Sequence, residues 1–337
     1  MKNSKAISTS WFPRYAFSAA SPNLLDSIYS DFDQQSERLS GHDQSYTQLT
    51  AGAFQGRFLS GQLGPDVAIH IEYCNQSLEQ EVVSPPDCFT FGVQLNSGQP
   101  FRINGHVTDA TDMFVMSPGA LMHVVSPQDG SALAISVQKD MLLAHCAFTP
   151  ALTDWLIGLN GDLGFLPQSP LAQRMRDDCV QALENATQIT QAAGLSTLGH
   201  ALVASLAAQL ALYWPSSASA SHQDAVPSFV RFRQHSLNLS STPLSLPADP
   251  SLVAGASASR RSLEQAFSTH VAMGPLTYLR VQRLHAVRRA LAAPENATST
   301  IGDIAAQFGF WDWSRFSSQF RRHFGILPSQ ARTEFGV

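Results

Sequence analysis

The sequence predicts an α+β protein, with an N-terminal β-sheet region that ends in helices and a C-terminal region made only of helices. Three observations predict this order. Short β-rich runs separated by turn residues fill residues 47–137, and apolar residues then recur at a four-residue step. A polar, proline-bounded segment at residues 215–226 precedes a helical remainder. At 337 residues the chain is long enough for two or three domains.

The β-rich runs have the length and spacing of strands in a sandwich or small barrel. They cover residues 56–63, 67–73, 88–95, 101–103, 112–116, 123–125 and 132–137. Turn sequences such as Ser117-Pro118-Gly119 separate them. A barrel of this kind offers a pocket for a small molecule. Its predicted lining, of which strand alternation lets about half face inward, is Phe89, Phe91, Val93, Phe101, Phe114 and Met116.

Two amphipathic helices follow the predicted strands. Ser169 is a predicted N-cap with Pro170 at the first helical position, and the first stripe contains Leu171, Met175, Cys179 and Leu183. The second helix ends before Pro215. Both stripes have two interpretations, a cover for the β domain or a dimer seam. The residues predicted for a homodimer seam are Leu198, Leu202 and Leu206.

Charge divides the chain into two unlike parts. The whole chain has 21 basic and 26 acidic residues and a net charge of -5. From residue 227 onward it contains twelve arginines, no lysine and six acidic residues, a net +6, which leaves -11 for residues 1–226. This split predicts a basic module that binds a polyanion, joined to an acidic module with another task.

The compartment is predicted from cysteine usage and hydropathy. The cysteines fall at irregular spacings, which favours reduced thiols over disulfides or a zinc site: Cys74, Cys88, Cys146 and Cys179. Pro13 and Arg14 interrupt the place of a signal-peptide core, and Ser205 and Gln209 break the longest apolar stretch, residues 201–214. We therefore expect a cytoplasmic protein that does not enter a membrane.

The C-terminal region contains two segments of the form helix, tight turn, helix. In the second, an apolar helix stops at Gly309, and the next helix, to about residue 324, is predicted to point Trp313, Phe316, Phe320 and Phe324 inward. The first segment has a short helix at residues 252–256 and a helix at 260–267 capped by Ser259. A long helix at residues 276–291 joins the two segments. Helices with an apolar side and a basic side suit a DNA groove.

These residues resemble the DNA-binding domain of the AraC/XylS family of bacterial transcription regulators. The resemblance spans about 100 residues and is carried by Gly274-Pro275-Leu276-Thr277-Tyr278-Leu279-Arg280, Arg283-Leu284, Ile304-Ala305, Gly309-Phe310, Phe316, Phe320-Arg321-Arg322, Gly325 and Pro328-Ser329. Leu327, Ala331 and the glycine-free first turn depart from the family pattern. A weaker resemblance, over residues 49–137 and the Gly309 turn, is to a subgroup with ethanolamine-type regulators.

The resemblance implies a seven-helix DNA-binding domain with two helix-turn-helix units and a cupin-like N-terminal barrel. It implies double-stranded DNA and RNA polymerase as partners, a small-molecule effector and a homodimer. An activator is the expected kind of regulator, although the sequence itself does not distinguish activation from repression. The predicted domains are an N-terminal extension (1–46), a cupin-like effector-binding and dimerisation domain (47–214), a linker (215–226) and a DNA-binding domain (227–337).

Helix phase and family position together predict the DNA contacts. The predicted base contacts are Arg261, Glu264, Gln265, Ser314, Arg315 and Ser318. The predicted phosphate contacts are Arg260, Arg321 and Arg322.

Two other functions remain as alternatives. In one, the acidic domain of a DNA-binding regulator only dimerises or binds a protein partner. The other, less favoured, is a metal-dependent cupin enzyme, which needs convergent ligands, whereas His70, His106 and His123 stand apart in the sequence. We predict no enzymatic activity, no catalytic residue, no metal and no cofactor.

Overall fold

The computed structural model describes residues 23–39, 41–95, 98–212, 219–221 and 259–335. Its strands are β1 (Leu24–Tyr29), β2 (Asp43–Gln48), β3 (Gly56–Gln62), β4 (Val67–Cys74), β5 (Leu78–Val83), β6 (Cys88–Gln94), β7 (Phe101–Ile103), β8 (His106–Thr108), β9 (Met113–Met116), β10 (Leu121–Val125), β11 (Gly130–Gln138), β12 (Leu163–Leu166) and β13 (Ser219–Ser221). Its helices are α1 (Phe32–Ser36), α2 (Lys139–Cys146), α3 (Pro150–Gly158), α4 (Pro170–Ala186), α5 (Ala192–Leu212), α6 (Arg260–Val271), α7 (Pro275–Ala292), α8 (Ile301–Gln307), α9 (Trp313–Phe324) and α10 (Pro328–Phe335).

The strands form two antiparallel sheets. One has the order β1-β3-β4-β11-β6-β9-β12-β13 and the other β2-β5-β10-β7-β8. Apolar side chains of both sheets pack together, for example Val82 and Val124 of the smaller sheet with Met116 of the larger. The α+β class is confirmed. The strand pairings within the described residues leave both sheets open, so a closed barrel is not seen there.

Strands β1 and β2 lie in the predicted N-terminal extension, residues 1–46. Strand β1 pairs with β3 over its whole length, and the predicted boundary between residues 46 and 47 falls inside β2. The extension is therefore wrong from residue 24 onward, because this segment supplies an edge strand to each sheet. Within the predicted linker, β13 pairs with β12.

Helices α2 to α5 cover the outer face of the larger sheet. Ser169 caps α4 by accepting the Leu171 N–H at 3.2 Å, as the sequence predicted. Helix α5 is long and apolar enough, by length and composition, to cross a membrane. It packs on α2, α4 and β4, and six of its residues are buried. Its apolar side thus belongs to the core of this chain.

The predicted dimer seam is wrong for two of its three residues. Leu202 and Leu206 are 7% and 4% exposed in the core beneath the larger sheet, and Leu198 is packed against that core and partly buried. The four-residue step correctly gave the apolar side of α5. That side is already covered by α4 and the sheet, so it offers no free apolar surface to a second copy.

The C-terminal helices pack around α7, which contacts α6, α8 and α10. The predicted helix at residues 252–256 lies outside the described residues. Helix α6 begins at the predicted Arg260 and runs one turn further than expected, to Val271. Helix α7 matches the predicted 276–291 within one residue at each end.

Two hydrophobic clusters are shared by the sheets and the C-terminal helices. In the first, Phe32 and Phe58 pack with Phe316, Phe320 and other residues of α7 to α9. In the second, Leu49 and Val125 pack with residues of α6 and α7. The helical region therefore sits directly on the β region, which fixes the orientation of α6 and α9.

Candidate nucleic-acid interface and internal cavity

Helix α6 has one buried and one exposed side. Ser259 caps it by accepting the Ser262 N–H at 3.1 Å, and Leu263, Ala266 and Phe267 are buried. The exposed residues include all four DNA contacts predicted for this helix: Arg260, Arg261, Glu264 and Gln265.

Arg260 and Glu264 form an ion pair across one turn of α6. The Arg260 Nε and Glu264 Oε1 atoms are 3.0 Å apart, and the two side chains are 68% and 55% exposed. A pair this exposed contributes only about 0.3–0.5 kcal/mol. It therefore leaves both side chains open to exchange their partner for a phosphate or a base.

A tight turn joins α8 to α9, the second helix with predicted contacts. Gly309 has φ of 83°, in the left-handed region that glycine enters without strain. At the end of α8 the Phe310 N–H donates to the Ala305 carbonyl at 3.0 Å, and Asp312 caps the start of α9 by accepting the Arg315 N–H at 3.0 Å. Both ends of the turn are thus fixed by local hydrogen bonds, and the predicted glycine turn is present.

Helix α9 presents aromatic residues to the core and polar residues to solvent. The ring centroids of Phe316 and Phe320 are 5.7 Å apart, and those of Phe320 and Phe324 are 4.7 Å apart. The exposed side contains every contact predicted for this helix: Ser314, Arg315, Ser318, Arg321 and Arg322.

Trp313 does not point inward as predicted. It is 47% exposed, and Trp311 in the turn is 70% exposed. Trp313 is the first residue of α9, so it reaches only the edge of the core, with its ring centroid 5.8 Å from that of Phe316. Two exposed indole groups therefore lie at the start of α9.

An open groove of about 520 Å³ lies between the N-terminal half of α7 and the Gly309 turn. Arg280, Arg283 and Arg315 all line it. From the sequence, Arg280 was singled out only as part of the run 274–280, and its convergence with Arg315 was missed because the two belong to helices distant in sequence. The groove concentrates positive charge next to the exposed side of α9.

Gln48, at the end of β2 in the smaller sheet, forms hydrogen bonds to both α7 and α9. The Gln48 carbonyl oxygen accepts hydrogen bonds from the Nε2 atoms of His285 and His323, at 2.9 and 3.0 Å. The Gln48 side chain donates to the His323 carbonyl at 2.7 Å. Burial lowers the pKa of His323 to about 4 and that of His285 well below its usual range, so both rings are neutral at pH 7.

Three acidic residues, Glu79 of β5 with Asp31 and Asp33 at the start of α1, also bind α7. Tyr278 donates to Glu79 at 2.9 Å, and Gln282 contacts the same carboxylate at 3.3 Å. The Arg288 guanidinium bonds Asp31 at 2.5 Å and Asp33 at 2.7 Å. The acidic region thus holds the basic one through specific polar contacts as well as apolar ones.

A cavity of about 90 Å³ lies between the two sheets. Of the predicted lining, Val93, Phe101, Phe114 and Met116 line it. Phe89 and Phe91 do not, because they lie in the core under the helices. Gly92 faces the cavity side, where a Cβ atom would lie 2.0 Å from the Phe114 ring. Glycine at this position is what leaves room for Phe114.

The polar groups of this cavity were not predicted from the sequence. His70 and Glu72 are two residues apart on β4 and both line it, together with Tyr46 and Gln80. Polar residues at alternate positions in an otherwise apolar strand were the available pattern. Glu72 accepts hydrogen bonds from Tyr46 at 2.5 Å and from Gln35 at 2.8 Å. Within the described residues no group of three or more His, Cys, Asp or Glu could hold a metal ion.

Comparison with known proteins identifies the helical region. Residues 252–334 match the family described as a helix-turn-helix domain. The matched residues include α6, α7, α8 and α9 in full. The exposed sides of α6 and α9 both lie within this helix-turn-helix domain.

Curated relatives match over a short segment of this chain. The chain is 37% identical over 71 residues to the XylDLEGF operon transcriptional activator 2 of Pseudomonas putida, which covers 21% of this chain and 45% of that protein. It is 29% identical over 70 residues to a probable thc operon regulatory protein of Rhodococcus erythropolis, 21% of each chain. The chain thus spans less than half of the length of these relatives.

Solved structures align over more of the chain at low similarity. The AraC-like transcriptional activator CuxR aligns over 84% of this chain and 99% of its own, with 18% identity and a TM-score of 0.43. ToxT of Vibrio cholerae, solved with an unsaturated fatty acid bound, aligns over 88% of this chain and 96% of its own, with 11% identity and a TM-score of 0.28.

Proposed function

We propose that this chain is a sequence-specific DNA-binding transcription regulator that responds to a small molecule. One observation carries the proposal. The helix-turn-helix domain places two capped helices, α6 and α9, with their arginines on exposed sides and their aromatic residues in the core. Such helices enter a major groove with one side while the other is anchored.

The finer architecture is part of the proposal. Two helix-turn-helix units would use α6 and α9 as recognition helices, with the DNA-binding domain beginning near residue 227. The two facing sheets and their helices, residues 24–212, would form a cupin-like sensor. The region from 213 to 226 would connect them. A cytoplasmic location follows from a DNA partner.

The assembly is also proposed. RNA polymerase is the expected partner of an activator, the kind of regulator named among the relatives. A homodimer would bind paired half-sites with a gain from effective concentration. Its interface cannot use Leu202 and Leu206, which are buried within the chain.

Alternative functions have less support. The cavity between the sheets favours a sensor over a domain that only dimerises or binds a protein partner. An enzyme is disfavoured, since the helix-turn-helix domain accounts for the basic region and the relatives are regulators.

The salt dependence of DNA binding tests the proposal. Full-length protein should bind double-stranded DNA, enriched by repeated selection from random sequence, with an affinity that falls steeply with salt because counterions are released. Three phosphate contacts alone give a decrease of about 40-fold between roughly 50 and 200 mM salt. Fluorescence anisotropy would measure it. A salt-independent affinity, or no DNA binding, would contradict the proposal.

Arg261 and Arg322 should differ in their effects on selected and random DNA. Arg322→Ala removes a proposed phosphate contact, so the affinities for selected and random DNA should fall by the same factor. The slope of log affinity against log salt concentration should fall in magnitude by about 1. Arg261→Ala removes a proposed base contact, so it should cost about 1–3 kcal/mol on the selected site and relax preference at one base pair. Binding to a panel of single-base operator variants separates them. Equal losses on every variant for Arg261→Ala would remove it from the base contacts.

A further inference from the structure

The cavity between the sheets has an acidic lining. Glu72 lies inside it, Asp112 is half-buried at its side and Asp109 is exposed at its rim. Among the described residues that line the cavity there is no arginine and no lysine. The described lining therefore contains three carboxyl groups and neither of the strongly basic residue types. An anionic ligand is disfavoured there and a cation is favoured.

Glu72 retains capacity to accept hydrogen bonds. Its Oε1 atom accepts from Tyr46 and Gln35, the Cys74 thiol also hydrogen-bonds the carboxyl, and Gln80 contacts Oε2 at 3.4 Å. No cationic side chain of the described residues pairs with this buried carboxyl. Burial raises the pKa of Glu72, as expected for a carboxyl without a counter-charge.

His70 provides a second polar atom next to Glu72. Its Nδ1 atom lies 3.1 Å from the Ser60 hydroxyl, and its buried Nε2 atom has no hydrogen-bond partner among the described residues. The side chain is 3% exposed, and burial lowers its pKa to about 3, so the ring is neutral. A buried polar atom without a partner is costly, and a ligand that supplies one relieves that cost.

Apolar side chains form much of the remaining lining, beside polar ones such as His42, Thr90 and Gln94, and the space is small. Phe58, Phe101, Phe114 and Met122 contribute to the lining. The volume of about 90 Å³ is well below the roughly 300–1,000 Å³ of pockets for drug-sized ligands. The occupant therefore has a short apolar body and a single polar head.

We propose that the cavity binds a small aliphatic or aromatic amine, whose ammonium group donates to Glu72 Oε2 and His70 Nε2 while its apolar part packs against the phenylalanines. This rests on the proposed sensor function of the β region. It adds the chemical class of the effector, a cation, and excludes carboxylates of similar size.

Matched probes of one size test the charge preference. n-Butylamine, 1-butanol and butyrate have the same four-carbon body and differ in the charge of the head group. Calorimetric titration of the full-length protein at neutral pH should give an affinity for n-butylamine at least ten times that for 1-butanol, with no detectable binding of butyrate. Equal affinities for the amine and the alcohol, or tighter binding of butyrate, would overturn the proposal. This test needs only the wild-type protein.

Glu72→Gln keeps the shape of the side chain and removes its charge. It should weaken n-butylamine at least tenfold and leave 1-butanol unchanged. Glu81→Gln is the matched control, since Glu81 lies on β5 outside the cavity lining, and it should bind n-butylamine as the wild type does. Equal losses in both variants would mean nonspecific attraction to an acidic surface and would overturn the site.

DNA binding is measured separately from amine binding. Loss of the salt-dependent DNA affinity would contradict the regulator proposal and leave the calorimetric result standing. Conversely, failure of the amine preference with DNA binding intact would overturn the effector class alone.

Discussion

Replacing Arg288 with alanine is expected to destabilise the folded chain by about 3–5 kcal/mol, the cost of breaking a buried ion pair from one side. Arg288 is 6% exposed and Asp31 is 4% exposed, so the substitution leaves a buried carboxylate without its cation. The guanidinium also lies 4.2 Å from the Phe32 ring centroid, a contact that is lost with it. The pair joins α7 to α1, so its loss weakens the junction of the two regions.

Urea denaturation followed by circular dichroism would measure the effect as a lower midpoint. Arg280→Ala is the matched control, because Arg280 is an exposed arginine of the same helix and its loss should change stability by no more than about 0.5 kcal/mol. If the two variants unfold at the same urea concentration, the Arg288 pair does not stabilise the junction.

Gly309→Val is expected to abolish operator binding while the β region stays folded. A β-branched residue at φ of 83° is strongly strained, so the turn between α8 and α9 must change. Helix α9 contains Arg315 and Arg321, and a change in the direction of the turn moves both side chains away from the DNA groove. We expect at least a hundredfold loss of affinity, equivalent to about 2.7 kcal/mol.

Gly302→Val provides the control for this substitution. Gly302 lies in α8 of the same domain, where a Cβ atom would meet only the Thr300 hydroxyl at 3.8 Å. Anisotropy with the selected operator should give near wild-type affinity for it. Normal operator affinity in Gly309→Val would show that the left-handed turn does not set the orientation of α9.

Local patterns predicted the helical region well. Caps such as Ser169 and Ser259, and the stop at Gly309, depend on residues within one turn, so the sequence contains all the information they need. The exposed side of α9 followed from helix phase. Trp313 was misplaced because phase alone does not say where along a helix the core begins.

Contacts between residues that are far apart in the sequence could not be predicted from local patterns. Strand β5 contains three charged or amide residues, and it was missed because Glu79 and Gln80 become buried only through partners in α7 and β4. The apolar stripe of α5 was found, but not which surface covers it. The cavity residues Glu72 and His70 were missed for the same reason, since their convergence with Tyr46 requires the pairing of separate strands.

The core shared by Phe32, Phe58, Phe316 and Phe320 has a consequence for protein engineering. Sensor and DNA-binding modules are often treated as exchangeable parts joined at a linker. Here a chimera cut near residue 226 would leave half of an aromatic cluster exposed on each piece, with Gln48 and Arg288 separated from their partners. A working exchange would have to transplant α1 and β2 together with the helical module, because the functional boundary runs through the packing and not through the linker.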